Sequence, residues 1–165
     1  MTQEAAFIQT IQQYRGILYK AAALYTDRPE DREDLMQEIL YQLWKSYGSF
    51  RQEAARSTWI YRVAMNVSIH YLKQNRKRPR TVALAPELLE RAAPPDEAEQ
   101  SRWDNIRRQI DTLSLLERGI VLLYLEDKSY REIGAIVGLS ESNVGTRMAR
   151  IKAKLKKRIT EKKQA

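Results

Sequence analysis

The stretch "SYREIGAIVGLSESNVGTRMAR", Ser129 to Arg150, decides how the chain is read. Ser129 and Glu132 stand at capping-box spacing, three residues apart, at the start of a short apolar-periodic run. Ile133, Ile136 and Val137 form its inward face. Gly138 supplies a tight turn, Leu139 plugs it, and Ser140 caps a second helix with Asn143 at the third position. Cap, turn glycine and both apolar faces agree in register, and the pattern predicts a helix-turn-helix.

The second of these helices divides into two edges. Val144, Met148, Ile151 and Leu155 face inward, while Asn143, Arg147, Arg150 and Lys154 face outward. Such a helix meets major-groove base edges with its first turn and phosphates with its later ones. Ser142, Asn143, Thr146 and Arg147 are therefore the candidate base readers. Arg150, Lys152, Lys154 and Lys157 are the candidate backbone contacts.

Charge supports a polyanionic partner. The 165 residues carry a formal charge of +8. Basic residues crowd into "KQNRKRPR" (Lys73–Arg80) and "RMARIKAKLKKRITEKK" (Arg147–Lys163). Between them "APELLERAAPPDEAEQ" (Ala85–Gln100) is acidic and holds three of the five prolines, which reads as a tether. The expected organisation is all-α: a helical domain over 1–80, a flexible linker over 81–97, and a second small helical domain over 98–165. That second domain carries the helix-turn-helix on the last two of four helices.

The first domain is helical throughout its pattern, with no alternation of period two. Phe7, Ile11, Tyr14, Leu18, Ala21 and Tyr25 make one stripe. Pro29 suits the first turn of the next helix, and Gly48 suits a left-handed stop after it. In between, Leu35, Met36, Ile39, Leu40, Leu43 and Trp44 form the expected buried side. Asp34, Gln37, Glu38, Tyr41 and Lys45 form a continuous polar face. A third helix over "STWIYRVAMNVSIHYLKQNRKR" is capped by Ser57 or Thr58 and buries Trp59, Ile60, Val63, Val67 and Tyr71. It exposes a stripe of Arg62, Asn66, Ile69, Lys73 and Arg76. Cations along a helix can track phosphates, and an Asn among them offers a base edge both donor and acceptor.

Other chemistries are poorly provided for. There is no cysteine and one histidine, His70, so thiolate sites and His clusters are excluded and no metal site or cofactor is expected. No Gly-rich phosphate loop or paired carboxylates point to an enzyme. No apolar run reaches the about 20 residues that a membrane span needs, and no signal peptide is read at Met1. The sequence therefore reads as soluble and cytoplasmic, without membrane insertion.

Three blocks in this order, "DLMQEILYQLW", "STWIYRVAMNVSIHYLKQNRKR" and "SYREIGAIVGLSESNVGTRMARIKAKL", resemble the extracytoplasmic-function (ECF) group of RNA polymerase sigma factors. The resemblance implies two helical domains, regions 2 and 4, that bind core RNA polymerase and promoter DNA. Region 2 would hold the polymerase and the melted −10 element, and region 4 the −35 duplex. It matches Asp34, Leu35, Gln37, Glu38 and Trp44 to the polymerase-binding block, which Tyr41 joins from the same polar face. Trp44 is assigned mainly to packing. Asn66 matches the residue that receives an unpaired −10 base, with Arg62, Lys73 and Arg76 beside it, and Phe50 and Arg51 fall in the specificity loop. Two positions depart from the pattern: His70 stands where an acidic residue is more usual, and Met148–Ala149 interrupt a commonly more basic run. The resemblance also implies an anti-sigma factor as an inhibitory partner. The alternative is a helix-turn-helix regulator acting without polymerase, for which the Arg62–Arg76 stripe would be surplus.

Overall fold

The structure, a computed structural model, describes residues 2–50, 56–74 and 97–164. Among these residues the chain is all-α, with seven helices and no strand. They are α1 (Gln3–Tyr25), α2 (Pro29–Tyr47), α3 (Arg56–Lys73), α4 (Glu97–Gln109), α5 (Leu115–Leu125), α6 (Tyr130–Val137) and α7 (Glu141–Gln164). The expected linker lies outside the described residues except at its end, where Glu97 already opens α4. The run from Glu97 to Gln100, read above as tether, is thus helical.

The chain divides into two compact units, residues 1–104 and 105–165. This boundary falls inside α4, later than the residue 98 expected from composition. The first half of α4 belongs to the first unit because its side chains partner α1 and α2. Trp103 is buried with the Lys20 ammonium 5.5 Å from its ring. Asp104 Oδ1 accepts from Arg32 at 3.0 Å, and Glu99 pairs with Lys20 at 3.8 Å.

In the first unit α1, α2 and α3 pack mutually. Helix α1 is capped by Thr2, whose hydroxyl accepts from the Ala5 N–H at 3.0 Å, and kinks at Tyr14 (φ −110°, ψ 18°). Toward its end α1 becomes fully enclosed, and Ala21 through Thr26 are all buried. Pro29 opens α2, as its preset φ suggests. Gly48 does not follow the expected left-handed stop: it sits at φ −67°, ψ −23°, in the right-handed helical region. The polypeptide leaves α2 through a turn in which Ser49 and Phe50 N–H groups donate to Ser46 and Tyr47 carbonyls.

Two expectations about faces change. Helix α3 buries Ile60, Tyr61, Ala64, Met65 and Ser68, while Trp59, Val63, Val67 and Tyr71 are half-buried. The face is rolled by about one residue toward its small members. A helix that packs against two neighbours brings its backbone close where Ala64 and Ser68 allow it, and the Ser68 hydroxyl is satisfied by the Ala64 carbonyl at 2.7 Å. Since α3 already includes Arg56, Ser57 and Thr58 lie inside its first turn rather than capping it. On α2 the buried apolar set is as read, except that Trp44 is 38% exposed, and Asp31 in the first turn is buried as well.

In the second unit α5 and α6 each begin with a complete capping box. Ser114 pairs reciprocally with Glu117, and Ser129 with Glu132, at 3.0–3.2 Å. The core joins Ile120, Leu122 and Leu123 of α5 with Ile133 and Ile136 of α6 and Val144, Met148 and Ile151 of α7.

Candidate nucleic-acid interface

The second unit builds its candidate site from the turn outward. Gly138 takes φ +81°, a left-handed conformation that suits glycine, and its N–H donates to the Gly134 carbonyl at 2.8 Å. The Leu139 N–H donates to the same oxygen at 2.9 Å. Gly134 is required for a second reason that the turn pattern did not signal. A Cβ there would lie inside van der Waals contact of the Leu139 carbonyl oxygen. Ser140 then starts α7, its hydroxyl accepting from the Asn143 N–H at 3.1 Å.

This turn leaves Ser142, Asn143, Thr146 and Arg150 exposed and Arg147 half-buried. Arg147 Nε donates to Asn143 Oδ1 at 3.2 Å, so one candidate reader orients another. The remaining guanidinium N–H groups keep the paired-donor geometry that suits guanine. The Thr146 hydroxyl donates to the Ser142 carbonyl at 3.2 Å and retains its capacity to accept.

Lys154 is exposed, as expected of the outward edge, and also has a partner within its own unit. Its Nζ lies 3.0 and 3.1 Å from the two carboxylate oxygens of Glu117 on α5. Burial would push the Glu117 carboxyl up, but hydrogen bonds from Ser114 and Lys154, with the Lys154 charge, hold it below the ordinary carboxylate value. One turn later Arg158 pairs with Asp111 and donates to the Arg108 carbonyl at 3.1 Å. Lys152 Nζ lies 5.1 Å from the centroid of the Tyr124 ring. Sequence reading missed Glu117 as a partner because the two residues are 37 positions apart; its box spacing with Ser114 pointed only to a cap.

In the first unit the candidates for single-stranded DNA spread along α3. Asn66 and Lys73 are exposed and Arg62 is half-buried; Arg51 and Arg76 lie outside the described residues. Phe50 is stacked on Trp59, with ring centroids 4.7 Å apart and planes at 29°. The Arg56 guanidinium lies 5.8 Å from the Phe50 ring and 6.0 Å from Tyr47, and donates to the Thr10 hydroxyl at 3.0 Å. Asn66 follows Trp59 by seven residues, about 10 Å further along the helix axis. The structure thus shows an aromatic platform at one end of α3 and an exposed amide two turns on. Arg56 and Trp59, which hold the platform, were not among the expected site residues.

The candidate polymerase face is only partly as expected. Asp34, Gln37, Glu38 and Tyr41 are half-buried on one side of α2. Leu35 is 0% exposed and belongs to the core with Ile39, as the apolar side of α2 led one to expect, so it offers no surface in this fold. Trp44 reverses its packing assignment in part, because it both packs on Phe7 at 5.1 Å between ring centroids and presents an exposed edge. Among the described residues no group of three or more acidic or histidine side chains could hold a metal ion. No described helix is long and apolar enough to cross a membrane.

Comparison with known proteins matches the two units separately. Residues 10–78 fit the model of sigma-70 region 2, and residues 103–155 fit that of sigma-70 region 4. Sigma factor SigM of Mycobacterium tuberculosis (strain H37Rv) is 27% identical over 153 residues, covering 91% of this chain and 75% of that protein. The sigma-E factor of Haemophilus influenzae is 29% identical over 168 residues, covering 93% of this chain and 87% of that protein. The solved sigma factor RpoE of Bartonella quintana, in complex with the anti-sigma factor NepR, has a TM-score of 0.67 at 18% identity. It aligns with 94% of this chain and 97% of its own, a likeness of fold. With regions 2 and 4 matched in order and relatives aligned along most of its length, the chain belongs to the extracytoplasmic-function group of sigma-70 family RNA polymerase sigma factors.

Proposed function

We propose that this chain binds core RNA polymerase through the polar face of α2 and directs promoter-specific initiation by reading two DNA elements in different states. Asp34, Gln37, Glu38 and Tyr41, with the exposed edge of Trp44, form the polymerase contact. Ser142, Asn143, Thr146, Arg147 and Arg150 meet the −35 duplex. Asn66, Arg62 and Lys73, with the Phe50–Trp59 platform, receive the separated −10 strand. Arg51 and Arg76 are assigned to the same strand from sequence. The domains that divide this labour are a region 2 domain over 1–80 and a region 4 domain over 98–165. The observation that carries the reading is the capped first turn of α7, whose polar side chains are exposed while Val144, Met148 and Ile151 anchor it from behind.

The chemistry is binding. Separating and trapping a base costs a few kcal/mol of stacking, which an aromatic face and an amide can recover. No side chain needs to be catalytic, and the protein acts in the cytoplasm, where its polymerase and promoters are. An anti-sigma factor is a fitting inhibitory partner, since the solved relative carries one. A helix-turn-helix regulator working without polymerase is not favoured, because it leaves the region 2 match over residues 10–78 without a role.

Run-off transcription with purified core polymerase tests the proposal. Addition of this chain should yield transcripts with discrete start sites on a promoter pool. Permanganate should detect unpaired thymines near those starts only in its presence. Tight duplex binding by the chain alone, with no transcripts from the mixture, would reject it.

A further inference from the structure

Two of the cations on helix α7, Lys154 and Arg158, pair with carboxylates of their own unit. The first half of the helix is fixed by the buried Val144, Met148 and Ile151. Its second half adds two ion pairs. Lys154 is bonded to both oxygens of the Glu117 carboxylate, and that carboxylate also accepts from the Ser114 N–H at 3.0 Å. Arg158, one turn later, is tied to Asp111 and to the Arg108 carbonyl. The Glu117 side chain is 10% exposed and that of Lys154 51%, so the pair is sheltered on its carboxylate side and open to water on the other. Two anchors one turn apart restrict both the roll of a helix and its tilt. The Arg147 side chain lies seven residues before the first anchor, about 10 Å along the axis.

We infer that Glu117, together with Lys154 and the Arg158–Asp111 pair, forms an internal clamp that sets the angle at which the first turn of α7 meets the −35 duplex. Glu117 is thus a positioning residue for sequence preference that never touches DNA. The inference rests on the proposal that α7 reads that duplex. It reverses the part that Lys154 would play as a phosphate contact. A lysine spent on a carboxylate releases no counterion from DNA, so it contributes nothing to the salt dependence of binding. A lysine released from that carboxylate can do so.

The two roles have opposite signatures in one measurement. Holoenzymes would be reconstituted from core polymerase and the full-length chain or its variants. Closed-complex affinity would be measured across a salt series on a promoter selected by the wild-type holoenzyme and on one with a scrambled −35 element. Glu117→Gln keeps a side-chain oxygen for the Ser114 N–H but removes the charge and one of the two acceptors that hold Lys154. It should steepen the slope of log K against log salt by about one unit, as Lys154 finds a phosphate. Discrimination between the two promoters should fall by about fivefold. Lys154→Gln should leave the slope unchanged and lower discrimination to a similar degree. The opposite pair of results, a slope shallower by about one unit for Lys154→Gln and no change of slope or discrimination for Glu117→Gln, would overturn the clamp. Far-UV thermal unfolding of each full-length variant checks folding, and if Glu117→Gln fails to fold, the sign of the Lys154→Gln result decides alone. Arg147→Ala and Arg150→Ala test the reading beneath it. If neither alters slope or discrimination, α7 does not read the duplex and the clamp falls with that reading. If they do and the Glu117 and Lys154 variants match wild type, the clamp alone is rejected.

Discussion

Helix α7 is positioned mainly at particular points, and α3 along its length. The start of α7 is set by the Ser140 cap and the left-handed Gly138, and its far half by two ion pairs. Helix α3 lies against both α1 and α2 and is held chiefly by Ile60, Tyr61, Ala64, Met65 and Ser68, with Arg56 at its start donating to the Thr10 hydroxyl of α1. The difference suits what each helix is proposed to meet. A duplex has a fixed groove, so a reader needs a fixed angle of approach. A separated strand is flexible and can adapt to a platform and an amide spaced along a helix. Vulnerability should differ accordingly, with core loss most damaging in the first unit and turn geometry in the second.

The largest effect should come from the first unit's core. Leu35→Ala removes a fully buried side chain and should destabilise that unit by about 2–5 kcal/mol, seen as a lower denaturant midpoint. Its polymerase affinity should recover at temperatures where the variant is folded. Glu38→Ala, by contrast, should weaken polymerase binding with an unchanged midpoint. Equal loss of affinity for both variants under folding conditions would put Leu35 back at the interface.

Turn geometry in the second unit should come next. Gly134→Ala drives a Cβ into the Leu139 carbonyl and should cost about 1–3 kcal/mol, because the obstructing atom is backbone and cannot rotate away. Gly16→Ala on α1 meets nothing within 4 Å and should instead stabilise by about 0.5–1 kcal/mol. Thermal unfolding of the two full-length variants measures the contrast. A neutral Gly134→Ala would mean that the turn relaxes readily and is not the fixed point described.

Asn66→Ala sharpens the comparison from the DNA side. It should leave closed complexes nearly intact and reduce open-complex formation by about 1–3 kcal/mol, roughly ten- to hundredfold. A promoter already mismatched across the −10 segment should recover part of that loss. Permanganate reactivity equal to wild type on the fully paired promoter would remove Asn66 from the site.

The smallest effect concerns acid. Glu132 is held below the ordinary carboxylate value chiefly by its bond from the Ser129 N–H, and Glu117 is held there by Ser114 and Lys154 against the upward push of burial. A carboxyl whose folded pKa is depressed contributes stability that is fully present above its unfolded value, about 4.3, and is lost as pH falls through the folded value. The second unit should therefore lose melting temperature as pH falls below about 4.3, and Glu117→Gln should flatten that dependence. A Glu117→Gln profile parallel to wild type would show that the carboxylate adds nothing through its charge.

Much of the second unit was legible because its signals are local. Ser114, Ser129 and Ser140 act on N–H groups three residues ahead, and Gly138 satisfies a turn within the same few residues. Local hydrogen bonding and backbone sterics are properties of a short window, so a sequence by itself determines them. The helical content of the first unit, the start of α2 at Pro29 and the ordered pair of sigma regions were legible on the same ground or by family pattern. What a window cannot contain is the identity of the neighbour. Amphipathic spacing placed α3's apolar side to within one residue, but only contact with α1 and α2 chose Ala64 and Ser68 over Val63 and Val67 for the closest approach. Leu35 and Trp44 lie on the same helix, and only the packing of unit 1 buried the first and left the second exposed at an edge. Lys154 reads from its helix as an exposed cation; only the fold brings the Glu117 carboxylate, 37 positions away, within hydrogen-bonding distance of it, because a contact between distant segments is written in no single window of sequence.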